Sequence, residues 1–108
     1  MILAIDTKAV LYLFDSEDQV VTDFEAIDVE NKEYEFCDDA GRRLDAEITK
    51  PVTRFRGGAF RLVSYGTPDR DLPIQFFRRA RELGRACSGI TSLEGLRTLL
   101  RIPPSPRQ

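Results

Sequence analysis

Between Glu33 and Tyr65 apolar and polar residues alternate with a period of two, and turn-forming residues cut the alternation into pieces. No other feature constrains the chain as much. A half-buried strand shows one face to a core and the other to water, whereas a helix repeats about every 3.6 residues. Tyr34 and Phe36 alternate with Glu33 and Glu35, which predicts a strand over 33–38. Asp38-Asp39-Ala40-Gly41 reads as a turn in which the glycine supplies a positive φ. Leu44, Ala46 and Ile48 then alternate with Arg43, Asp45 and Glu47 in the next strand, which Pro51 interrupts or confines to an edge. Val52–Arg56 and Ala59–Tyr65 flank Gly57-Gly58, the pattern of a two-residue hairpin. Three or four antiparallel strands therefore run in succession.

Upstream, Ala9–Phe14 is a short continuous apolar run, the pattern of a strand covered on both faces. Ile2–Ile5 is either its partner across an Asp6-Thr7-Lys8 turn or an extension of it. Ser16-Glu17-Asp18-Gln19 is a capping box, and the two acids suit the positive end of a helix dipole. Val20, Val21, Phe24 and Ile27 share one helical face, so a helix is expected over 17–27. Downstream, Leu72, Phe76, Ala80 and Leu83 line a second helix over 72–83, with Pro73 in its first turn and Gly84 at its C-terminal cap. Thr91-Ser92-Leu93-Glu94 caps a third helix, whose stripe is Leu93, Leu96, Leu99 and Leu100 and which Pro103-Pro104 ends near Ile102. The fold class is α+β: a mainly antiparallel sheet of four to five strands, with an early helix and two C-terminal helices packed on it. Residues 1–102 form one domain, and 103–108 a Pro-rich flexible tail.

Composition excludes much of the chemistry open to a chain of 108 residues. Without histidine there is no Ser-His-Asp or Cys-His triad, no His metal site and no His general base. Val20 and Ala26 occupy the places where a calcium loop needs glycine and a bidentate acid. Gly57-Gly58 opens no helix and precedes no Lys-Ser/Thr, so it is not a phosphate loop. Cys37 and Cys87 cannot complete a zinc site, and Cys37 sits between Phe36 and Asp38 near Glu35, where its thiol would be inert. Both cysteines read as buried free thiols. No apolar run is long enough to span a membrane, and the apolar Met1–Ile5 meets Asp6 with no basic stretch before it. A cytoplasmic protein without cofactor or metal, and not an enzyme, is expected.

The net charge of −2 hides a polarity. Residues 1–53 hold 14 acids and 5 bases, while 54–108 hold 4 acids and 11 bases. The basic half offers Arg54, Arg56 and Arg61 on the hairpin and Arg78, Arg79, Arg81 and Arg85 on the helix, a row that would track phosphates. That row makes a nucleic-acid module one alternative reading, but the acidic half argues against direct nucleic-acid binding. A structural or assembly subunit of a phage or secretion system, using an exposed sheet edge, is another. The acidic half carries the stronger pattern. Asp18, Asp23, Glu25 and Asp28 fall on the outer sides of a helix that packs its apolar face inward, Asp15 and Glu17 lead into them, and Glu33 and Glu35 follow on a neighbouring strand. Such a surface mimics a polyanion and suits a cationic partner, for example a nuclease built to hold phosphate. Tyr12 and Tyr34 are candidate desolvated anchors beside it.

The stretches Tyr12-Leu-Phe-Asp-Ser16, Phe24-Glu-Ala-Ile-Asp-Val-Glu-Asn31, Glu33-Tyr34 and Asp39-Ala-Gly-Arg42 resemble the small bacterial immunity proteins of polymorphic and contact-dependent toxin systems. The resemblance lies in the acidic half and carries no catalytic motif. It implies a cytosolic antitoxin-like protein that binds and blocks one cognate toxin domain.

Overall fold

A computed structural model describes residues 1–53, 57–84 and 90–102. The elements run β1 (Ile2–Asp6), β2 (Val10–Phe14), α1 (Glu17–Asp23), α2 (Ala26–Glu30), β3 (Tyr34–Asp38), β4 (Arg43–Lys50), β5 (Ala59–Tyr65), α3 (Leu72–Arg79), β6 (Glu82–Leu83) and α4 (Leu93–Leu99). The strands form one six-stranded sheet in the order β5-β4-β3-β1-β2-β6. Every pairing is antiparallel except β2 with β6. The α+β class is thus as the sequence indicates, with one strand more than expected and the helices on both faces rather than one.

The period-two pattern explains the two faces. Leu3, Ile5, Leu11, Leu13 and Cys37 point to one side, where Leu72 and Phe76 of α3 and Leu96 of α4 close over them. Ala4, Phe14, Phe36 and Phe60 point to the other, under Val20 of α1 and Ala26 and Val29 of α2. Each face hides an apolar row that neither helical layer could bury alone. Ile2–Asp6 is the partner of β2, in register Ile2↔Phe14 to Ile5↔Leu11. The connecting turn is held by Asp6, whose Oδ1 accepts from the Lys8 N–H at 2.8 Å and the Val10 N–H at 3.0 Å.

Several sequence expectations need correction. The helix over 17–27 is broken at Phe24, which is extended (φ −100°, ψ 140°) and turns its ring into the cluster of Tyr12, Phe14, Tyr34 and Phe36. The break rotates α2, so Ala26 and Val29 are buried and Ile27 is left 43% exposed. Ser16 makes no side-chain cap; instead Gln19 Oε1 accepts from the Asp15 N–H at 2.9 Å. The second helix stops at Arg79, and the residues expected to finish it become β6, with the Gly84 N–H donating to the Leu11 carbonyl at 2.8 Å. Gly84 is required there by packing, not capping: a Cβ would lie 2.7 Å from the Tyr12 ring. In α4 the cap is the Ser92 hydroxyl, which accepts from the Gly95 N–H at 3.1 Å. Its stripe is narrower than expected, because Leu99 is 45% exposed. Finally, β4 pairs directly with β5 from Arg43↔Tyr65 to Lys50↔Ala59, so β5 is not joined to its partner by a two-residue hairpin at Gly57-Gly58. Arg54–Arg56, Arg85, Cys87 and the 103–108 tail lie outside the described residues.

Candidate functional site

α1 and α2 contribute the acidic surface. Their inward residues are Val20, Ala26 and Val29, so the acids between them are forced outward or sideways. Asp15, Asp18, Asp23, Glu25 and Glu33 are exposed, and Asp28 is half-buried. Between Asp15 and Glu35 there are nine acids and a single base, Lys32.

Two predicted site residues behave differently. Glu17 is half-buried, and its Oε2 accepts from the backbone N–H of Leu62 on β5 at 2.6 Å. Glu35 belongs to the opposite face of the sheet, because it alternates with Tyr34 and Phe36. There it binds Arg79 of α3 and lies 3.7 Å from Arg43, and these arginines, with the Arg79 hydrogen bond foremost, hold its carboxyl below the usual range. Glu35 therefore bridges to the basic face and is not part of the acidic layer.

Tyr12 and Tyr34 do adjoin the acids. Phe24 stacks on Tyr34 at 4.0 Å between centroids and meets the Tyr12 ring edge-on at 5.2 Å. The Tyr12 hydroxyl donates to Asp6 Oδ2 at 3.0 Å. Burial, then the bond to Asp6 and its charge, pushes the Tyr12 phenol up to about 12. Burial also raises Tyr34, with Asp28, Glu33, Asp6 and Glu25 adding their negative charge. These two half-buried phenols thus sit within a field of carboxylates. Asp6 is a member that the sequence reading missed; its only signal was an acid opening the turn beside Tyr12.

The ion pairs show how the near-neutral total is arranged. Arg42 pairs with Asp38 at 3.5 Å, Arg61 with Glu47 at 2.6 Å, Arg97 with Glu94, and Arg79 and Arg43 with Glu35. Among the described residues no ion pair reaches Asp18, Glu25, Asp28, Glu30 or Glu33. The bases in these pairs neutralise acids of β3, β4 and α4 and leave Asp18, Glu25 and Asp28 out of them. The arginine row of the alternative reading is partly spent on these pairs: Arg61 and Arg79 are engaged, while Arg78 and Arg81 are exposed on the far side of the sheet.

Other chemistry finds little footing. Among the described residues no group of three or more Cys, Asp or Glu could hold a metal ion. Cys37 is buried, and that burial, with Asp38 beside it, pushes its thiol up to about 12, which makes it no nucleophile. No described helix is long and apolar enough to cross a membrane. No family model, curated protein or solved structure matches the chain.

Proposed function

We propose that this chain is a non-enzymatic inhibitor of the immunity type, acting in the cytosol, that binds and neutralises a cognate cationic toxin domain through the acidic α1–α2 layer. A nuclease is the toxin chemistry that fits best, since its site is built to receive phosphate and a dense row of carboxylates imitates that ligand. One observation carries the reading: among the described residues the arginine ion pairs go to Glu35, Asp38, Glu47 and Glu94, and none reaches Asp18, Glu25, Asp28 or Glu33. Single-sign surfaces of this kind accelerate encounter with a partner of opposite sign and exclude others. Asp18, Glu25, Asp28 and Glu33 supply the charge, and the half-buried Tyr12 and Tyr34 supply apolar contact area at low entropic cost.

The test is co-expression with the product of the reading frame beside its gene. The wild-type chain should relieve that product's toxicity, and the double charge reversal Asp18→Lys with Glu25→Lys should not. Full protection by a correctly folded double variant would remove the acidic layer from the mechanism.

A further inference from the structure

The sheet has two edges, the two-residue β6 and the seven-residue β5. Along an edge strand paired on one side only, alternate residues turn their N–H and C=O groups outward. The Leu62 N–H donates to Glu17, not to β4, which places Leu62 among the outward-facing residues. Phe60 and Ser64 share its phase in the regular part of the register. Among the described residues the edge is therefore an open hydrogen-bonding template on which one amide is held by a carboxylate reaching across from α1. Such edges pair with other chains unless protected. On the sheet face left bare by α3 and α4, Val63 is 39% and Tyr65 53% exposed, offering contact to side chains of an added strand.

We propose that the β5 edge is a strand-addition site for an extended basic segment of the partner protein, held shut by Glu17 until that segment arrives. The proposal rests on the acidic-surface reading and extends it to a second element. On binding, a backbone carbonyl of the incoming strand replaces the Glu17 carboxylate at the Leu62 N–H. The freed carboxylate then takes a Lys or Arg side chain from the same strand, so no charge is left unpaired. Charge selects this occupant over a second copy of the chain. Antiparallel pairing of two β5 edges about Leu62 would bring two copies of α1, each with Glu17, Asp18 and Asp23 and no basic residue, towards one axis. A basic strand meets attraction at the same place. Backbone pairing supplies affinity and alternate side chains supply selectivity, the usual division in strand addition.

The experiment uses the full chain, isotope-labelled for amide NMR, at low ionic strength where surface charges act at long range. The probes are an alternating Thr-Lys octapeptide, its Thr-Glu counterpart, and the Thr-Lys peptide N-methylated at every second residue. The Thr-Lys peptide should shift the Leu62 and Ser64 amides, and the Thr-Glu peptide should not. N-methylation should weaken binding roughly tenfold by removing backbone hydrogen bonds. Ser64→Pro, which removes an outward-facing amide only, should do the same; the methylated peptide gives the same information should that variant fail to fold. Shifts confined to α1 and α2, with equal affinity for the methylated peptide, would overturn strand addition and leave the acidic surface standing. No binding of the Thr-Lys peptide anywhere would overturn both. Shifts at Leu62 and Ser64 that depend on protein concentration alone would assign the edge to a second copy and overturn the proposal.

Discussion

Phe24→Ala should cost more stability than any other single truncation in the α1–α2 layer. Phe24 sits at the break between the two helices, stacked on Tyr34 at 4.0 Å with an interplanar angle of 9°, and edge-on to Tyr12 and Phe14 at 5.2 Å each. Truncating a fully buried Phe costs about 3–5 kcal/mol. Phe24 is half-buried, so about 2–3 kcal/mol is expected, and within it the Tyr34 stack accounts for about 0.5–1.5 kcal/mol. Urea unfolding should show this loss as a lower midpoint with an unchanged slope, and a fall in Tm of about 10–15 °C. A double-mutant cycle with Tyr34→Leu should return the stacking component as a coupling energy. A loss under about 1 kcal/mol, or no coupling, would show that the aromatic cluster does not moor the acidic layer to the sheet.

Three further outcomes are expected. Gly41→Ala should destabilise by at least about 2–3 kcal/mol in the same assay: φ is +89°, a Cβ would lie 1.9 Å from the Asp69 carbonyl oxygen, and the Asp69 N–H bond to the Gly41 carbonyl at 2.9 Å would be lost. Glu35→Gln should change stability by less than about 1 kcal/mol at neutral pH, because Glu35 and Arg79 are both nearly half exposed. Since the folded pKa of Glu35 lies below its ordinary 4.5, that small contribution is present above pH 4.5 and fades as the pH falls through the folded value; the variant's acid-unfolding curve should be shallower there. The folded pKa of Tyr12 is raised to about 12 from 10.0, so its contribution is complete below pH 10 and is lost as the pH climbs through 12. Tyrosinate absorbance should accordingly rise late in the native protein, and Tyr12→Phe should remove the latest-titrating phenol.

β3, β4 and β5 were legible because their side chains are sorted by a period of two, and β1 and β2 as short apolar runs, whereas β6 was hidden in the tail of a helical stripe. The helices were legible as apolar stripes but not in their ends. Phe24 fits a helical stripe perfectly well, and only the aromatic partners contributed by β2 and β3, distant in the chain, explain why it leaves the helix. Gly84 reads as a cap because glycine commonly follows a helix, whereas its actual requirement is the approach of the Tyr12 ring. Gly57-Gly58 looked like a tight hairpin because local turn preference carries no information about strand register. At the candidate site, acid positions were readable from composition alone. The opposite orientation of Glu35 was also readable, since it alternates with Tyr34 and Phe36, but charge grouping obscured it. That Glu17 reaches an edge-strand amide 45 residues away is a tertiary fact with no local signature.

The central claim is that Asp18, Glu25, Asp28 and Glu33, with which no described arginine pairs, steer a cationic partner. It is tested most directly by stopped-flow association with the proposed cationic partner, the product of the neighbouring reading frame, measured against ionic strength. The wild-type rate should fall steeply as salt rises, and Asp18→Lys with Glu25→Lys should slow association at least about tenfold at low salt and flatten that dependence. Equal rates and equal salt slopes for the two proteins would contradict it.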